Sequence, residues 1–307
     1  MDTTPCDPKI SHAANLQNSY RPRETTMKLG YSTWGMPTVP VDVALSHLAT
    51  LGFDAVELTV IPGYSTELSS LTKSERRRIL KLLKKYGLAL PAIAGHTSLM
   101  EEDPKVHAAN LKRLQKTIDL AVDWAGPDGP PAIDTTAGGQ PDGWESHLGL
   151  LIERTQELAA YAQTKGVTLA MEPHVGSIID TPHKMVELIQ MVGRPNVKVN
   201  FDISHFNVMG YSIEESVSTL APHAVHTHVK DETGRFPNHQ FLIPGEGVFD
   251  YVAYLQSMQR HGYTGCISAE VSVMVQRRPN YDPLRAATQT YATLAAAFET
   301  AGIERSR

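Results

Sequence analysis

Only two cysteines, Cys6 and Cys266, occur in 307 residues. One falls in a polar N-terminal stretch and the other inside an apolar run expected to form a core strand, which excludes a disulfide framework or a thiolate metal site. A reducing cytoplasm is the expected compartment. No apolar run approaches the roughly 20 residues that span a bilayer, and the first 26 residues lack the hydrophobic stretch of a signal peptide. Basic charge is not in excess: 28 Lys and Arg against 33 Asp and Glu give a net charge of -5, so neither nucleic acid nor an anionic membrane is an expected partner. The turn after the first apolar run, Thr33-Trp34-Gly35-Met36-Pro37, contains no G-x-G-x-x-G, which disfavours a dinucleotide site and the open doubly wound sheet that would carry it.

What is present is ordinary globular composition, 41% hydrophobic and 20% charged, in a chain long enough for one α/β barrel or two smaller domains. From Lys28 onward, short apolar runs alternate with amphipathic stretches in eight pairs. The expected strands are Leu29–Ser32, Ala55–Leu58, Leu88–Ala94, Ala132–Thr135, and four more ending near Met171, Phe201, Thr227 and Ala269. The expected helices are Pro40–Leu51, Lys73–Tyr86, Pro104–Trp124, Glu145–Lys165, Pro182–Val192, Ile213–Leu220, Phe249–His261 and Pro283–Ala301. One helix after every strand predicts a parallel sheet, and eight units predict its closure into a single (β/α)8 TIM barrel. The domain is expected over residues 27–303, with tails at 1–26 and 304–307 and Met27 a candidate start.

Four of the last strands each deliver one acid or imidazole at the C-terminal end: Glu172, Asp202, His228 and Glu270. Strand C-termini converge on one face of a barrel, so residues far apart in sequence can meet around one ion. Three carboxylates and one imidazole suit Mn²⁺, with Mg²⁺ or Co²⁺ as alternatives, better than a structural zinc. Glu172 and Glu270 also form a pair that can face a substrate and exchange protons beside a carbonyl. His96 closes an apolar strand, and His205 follows Asp202 by three residues; both are expected at substrate. His226, His228 and Lys230 share one strand face, which sets Lys230 toward the pocket. Glu57 and His174 stand at active-face positions, Trp34 and Phe206 are candidate apolar walls, and Glu246 is expected to cap its loop.

The segments Leu169-Ala170-Met171-Glu172-Pro173, Phe201-Asp202-Ile203-Ser204-His205, His226-Thr227-His228-Val229-Lys230-Asp231, Gly245-Glu246-Gly247 and Ala269-Glu270 resemble the xylose-isomerase-like barrel superfamily, in its sugar isomerase/epimerase and endonuclease IV-like branch. The resemblance covers roughly Lys28 to Ile303. It implies that Glu172, Asp202, His228 and Glu270 bind one divalent metal and that the two glutamates exchange protons with substrate. The family's ketose 3-epimerases carry a substrate-binding carboxylate where this chain has Ile178, and an Arg to which Arg235 comes one residue late. The His-x-Lys-Asp pattern resembles branches acting on inososes or oxidised glycosides.

A sugar or keto-sugar isomerase or epimerase is therefore expected, with His96, His205, Lys230 and Arg235 on substrate oxygens. The alternative is a lyase that eliminates from a 3-oxo-glycoside or dehydrates an inosose. C-glycoside deglycosidases of that kind pair the barrel with a small β partner subunit. An endonuclease IV-like DNA-repair hydrolase needs three metals and an Asp-x-His pair, and none stands between Asp231 and Glu246. By analogy with the family, a homo-oligomer is expected.

Overall fold

The computed structural model describes Met1 and residues 26–306; the rest of the expected N-terminal tail, with Cys6, lies outside the described residues. The strands are β1 (Lys28–Ser32), β2 (Ala55–Thr59), β3 (Ala92–Ala94), β4 (Ala132–Thr136), β5 (Leu169–Glu172), β6 (Val197–Asp202), β7 (Ala224–Val229), β8 (Asp231–Thr233), β9 (Gln240–Leu242) and β10 (Cys266–Ala269). Eight of them close into a barrel in the ring order β1, β10, β7, β6, β5, β4, β3, β2. Every barrel pairing is parallel. The short β8 and β9 pair antiparallel after β7. The fold is thus the single (β/α)8 barrel that the alternation predicts.

Helices α1 (Val41–Leu51), α2 (Lys73–Tyr86), α3 (Pro104–Asp123), α4 (Trp144–Thr164), α5 (Pro182–Val192), α6 (Ile203–Met209), α7 (Ile213–Leu220), α8 (Tyr251–Arg260), α9 (Val273–Gln276) and α10 (Pro283–Ala301) accompany the strands. None of the described helices is long and apolar enough to cross a membrane. α2 shows how the sequence builds them. Thr72 accepts a hydrogen bond from the Glu75 amide at its start, Ile79 and Leu83 are buried, and Gly87 takes the left-handed conformation that ends it. Each such apolar side chain, fully buried, stabilises the fold by roughly 1.5–3 kcal/mol. Barrel strands bury both faces, which is why Leu29, Val56, Ile133, Met171, Val199 and Ile267 are all inaccessible.

Four details differ from the sequence reading. The third strand begins at Ala92 rather than Leu88, with Ala89 making only an isolated bridge to Ala55; Pro91 has no amide hydrogen and interrupts the ladder. A helix unforeseen in the sequence, α6, follows β6 without a loop, because Asp202 ends the strand and caps the helix through Ser204 N at 3.0 Å. The β8–β9 hairpin occupies a segment to which the sequence reading assigns no strand. The C-terminal residues 304–306 are docked rather than a tail. Met27 N donates to Glu304 O at 3.2 Å, Ser306 N donates to Met27 O at 3.0 Å, and Arg305 makes a two-pronged bond to Asp54 at 2.8 and 2.9 Å.

Candidate active site

The C-terminal ends of β5, β6, β7 and β10 bring one donor atom each from Glu172, Asp202, His228 and Glu270 within 4.8 Å of one another, all buried. Pairing of Asp202 with His228 across β6 and β7 sets two of them side by side, and Glu270 N is anchored on Val229 O at 3.0 Å. Oε1 of Glu172 lies 3.4 Å from His228 Nδ1, and Oε1 of Glu270 lies 3.8 Å from the same nitrogen. Lys230 turns inward, as its alternation with His226 and His228 requires. Its ammonium is buried between Asp202 Oδ2 and Glu270 Oε2 and bonds both.

Two carboxylates lie one layer deeper. Glu57 sits within β2, fully buried. Its Oε2 is 2.9 Å from His226 Nε2 and 3.1 Å from His228 Nε2. Asp134, in the middle of β4, had drawn no attention in the sequence. It shares a strand face with Thr136, which lines the cavity above, and that period of two is the signal that would have found it. His96 Nε2 lies 3.3 Å from Asp134 Oδ2.

The charges are strongly coupled. Burial pushes the His228 imidazole down, but Glu57, Glu270 and Glu172 more than reverse it and hold it well above its ordinary value. Burial likewise opposes ionisation of Glu172, yet hydrogen bonding and charge from His228, with His96 and Lys230, keep its carboxyl at about 2. Asp202 is held well below the usual range, Lys230 and His205 overcoming its burial. Burial, reinforced by the charges on Glu172 and Glu57, lifts Asp134 far above it. Burial and His174 push His205 well below its ordinary value, so its imidazole is neutral.

A cavity of about 300 Å³ opens over this cluster, lined by Trp34, His96, Glu172, His174, His205, Lys230, Phe241 and Glu270 among others. Gly138 contributes bare backbone to the wall at φ +76, and a β-carbon there would press on Ser98. His174 and His205 stack with ring centroids 3.9 Å apart. A larger hollow of about 660 Å³, lined by Arg76, Lys112, Arg113 and Lys116 among others, includes none of the four clustered donors.

The structure therefore brings His96, His205 and Lys230 to the cavity with the four clustered donors, but not Arg235. That side chain is exposed and donates to the Asn207 carbonyl at 2.8 Å. Phe206 packs in the core against Phe201, and the wall expected of it comes from Phe241 on β9. The buried carboxylate of Asp231 accepts from the amides of Gly245 at 2.8 Å and Phe249 at 3.1 Å. Glu246 accepts from Ile243 N at 3.2 Å within its own loop, as expected.

The sequence profile described as xylose isomerase-like TIM barrel matches residues 45–291. Fructoselysine 3-epimerase of Shigella flexneri is 22% identical over 261 residues, covering 82% of this chain and 93% of that protein. A D-psicose 3-epimerase solved in the presence of D-fructose superposes with a TM-score of 0.72 at 20% identity, over 90% of this chain and 100% of that one. The IOLI protein, solved with a zinc atom, superposes with a TM-score of 0.74 at 18% identity, over 89% and 99%.

Proposed function

Because the chain belongs to the xylose isomerase-like TIM-barrel family, we propose that it is a divalent-metal-dependent isomerase or epimerase of a sugar or keto-sugar, working by proton transfer next to a carbonyl. Sugar epimerases and isomerases among its relatives support the general class. The observation that carries the specific reading is the pair Glu172 and Glu270. They stand three strands apart around the ring, both line the cavity, and both offer an oxygen to one cluster of donors.

The donor set fits a cation. The buried carboxylates Glu57, Glu172, Asp202 and Glu270 outnumber the buried ammonium of Lys230 and the imidazole of His228 that they contact, an excess of negative charge that a barrel interior tolerates only when it is offset. Glu172, Asp202, His228 and Glu270 would hold the ion, and their oxygen-rich chemistry suits Mn²⁺, then Mg²⁺ or Co²⁺. When bound, such an ion polarises the carbonyl and a neighbouring hydroxyl oxygen and so acidifies the carbon beside them.

The side chains supply the rest. Glu172, ionised at neutral pH, is in the form that accepts the proton leaving the carbon; Glu270, facing the same space from β10, would return a proton to the other face in those turnovers where it carries one, and is left as the carboxylate while Glu172 keeps the proton it took. Lys230 and neutral His205 hold substrate oxygens from below, His96 from the β3 side, while Trp34 and Phe241 wall the ring. The reading includes a small carbohydrate as ligand, a homo-oligomer and a cytoplasmic location.

The test is NMR of candidate ketoses, inososes and keto-glycosides in D₂O with Mn²⁺. Deuterium at one carbon of an intact skeleton supports the proposal. An enone or a released aglycone reassigns the protein as a lyase, and absence of exchange on all three classes refutes proton transfer. Glu270→Gln is expected to slow exchange by roughly 10²–10⁴-fold with the melting transition retained.

A further inference from the structure

The hollow of about 660 Å³ shares no lining residue with the catalytic cavity. One side of it, from the end of β2 and the loop to α2, is largely apolar, with Val60, Pro62, Leu68 and Leu71; the other side is α3. Four cations, Arg76, Lys112, Arg113 and Lys116, line it with two acids, Glu67 and Asp119. Both acids are committed elsewhere. Asp119 takes the Lys165 ammonium at 3.1 Å and the Tyr161 hydroxyl at 3.0 Å, and Glu67 accepts from the Gly63 amide at 3.0 Å and from the Ser69 hydroxyl. Arg76 is balanced by Asp123 at 2.5 Å.

Lys112, Arg113 and Lys116 are thus left without an ion pair among the described residues. Lys112 and Lys116 stand one turn apart on α3, a spacing of about 5–6 Å between β-carbons at which like charges repel. Arg113 is half-buried, and burial lowers its guanidinium from the ordinary value against the charge of Glu67. A partly desolvated cation beside two others calls for an anion. Arg113 Nη2 also donates to the His96 carbonyl at 2.7 Å, so one side chain touches both the hollow and the loop that carries His96 to the catalytic cavity.

We propose that this hollow binds a phosphomonoester with an apolar body, its phosphoryl group held by Lys112, Arg113 and Lys116 and its body laid against the apolar side. A phosphoryl group brings nearly two negative charges and three acceptor oxygens, where a carboxylate brings one charge for three cations. None of Glu172, Asp202, His228 and Glu270 lines the hollow, so its ligand is not the substrate, and the site stands whether or not that quartet binds a metal.

Calorimetric titration of the full chain with phenyl phosphate and with inorganic phosphate is the test, after chelator has removed any cation that could itself bind phosphate. Phenyl phosphate is expected to bind with a Kd at or below about 1 mM, more tightly than the inorganic ion. Lys112→Gln combined with Lys116→Gln is expected to weaken it by roughly tenfold or more, while Lys112→Arg with Lys116→Arg retains it. Both lysines are exposed, so the melting transition should be unchanged in either double variant. No saturable binding up to about 10 mM overturns the site. Full affinity in the glutamine variant overturns the assignment to α3, and loss in Lys230→Met alone places the anion in the catalytic cavity instead. Equal affinity for the two probes overturns the ester in favour of the free ion.

Discussion

Nε2 of His228 lies 3.1 Å from Oε2 of Glu57, two buried groups contributed by β7 and β2. This contact orients the ring so that Nδ1 faces Glu172 and Glu270. To bind a cation through Nδ1 the imidazole must keep its remaining proton on Nε2, and Glu57 is the acceptor that keeps it there. Glu57→Gln retains the shape and removes the charge. It is expected to weaken Mn²⁺ binding by roughly 10–100-fold, measured by calorimetric titration, with the barrel still folded. Unchanged affinity would assign Glu57 to stability alone.

The same contact sets a pH dependence. Without a cation, the surrounding carboxylates hold His228 well above its ordinary value, so it is protonated at neutral pH. Loading the quartet requires that proton to leave. Affinity for Mn²⁺ should therefore rise with pH by roughly tenfold per unit below the His228 value, with release of about one proton. Titrations in two buffers of different ionisation enthalpy count the proton, and a buffer-independent heat would mean that His228 is neutral before binding.

Much of this site was legible in the sequence because its residues interrupt apolar runs at a fixed place. Glu172, Asp202 and Glu270 each directly follow buried strand residues, and a polar side chain at the last inward position of a barrel strand has few other uses. Asp134 was harder to read, since it lies inside a strand whose next residues, Thr135 and Thr136, are themselves polar. An apolar-to-polar boundary marks where a strand ends, not which residue within it points inward. α6 was hidden by the double use of Asp202, which ends a strand and caps a helix with one carboxylate. Phe241 came into the wall through a three-residue strand too short to carry any periodicity. Arg235 shows the opposite failure, a residue placed by analogy of spacing that the β8–β9 hairpin carries away from the cavity.

Glu232, on β8, offers a stability test independent of any metal. Burial, with the charges of Asp231 and Asp202, pushes its carboxyl up to about 8, against a hydrogen bond from Asn207. Its Oε2 has no hydrogen-bond partner among the described residues. A carboxyl raised in the folded state contributes stability that is complete below its ordinary value and is lost as pH rises through about 8. Glu232→Gln, which cannot ionise, should match the wild type near pH 5 and exceed it above pH 8 by about 1–3 kcal/mol. Urea unfolding across that range measures the gap, and a gap that fails to widen with pH would clear Glu232 of the alkaline loss.

Lys230 and the proposed ion compete to balance the same charges. Its ammonium bonds both Asp202 and Glu270 in the interior, and those carboxylates raise it further above its ordinary range despite burial. Lys230→Met removes the charge while keeping most of the volume, which leaves two buried carboxylates facing each other. Breaking a buried pair in this way costs about 3–5 kcal/mol, so the metal-free variant should melt on the order of 10 °C below the wild type. Saturating Mn²⁺ restores positive charge to Asp202 and Glu270 from the other side, and the deficit should shrink by more than half. The decisive quantity is the difference between the two proteins' melting shifts on adding Mn²⁺. Equal shifts would show that the ammonium and the ion do not share those carboxylates, and would move the cation away from the mouth of β6 and β10.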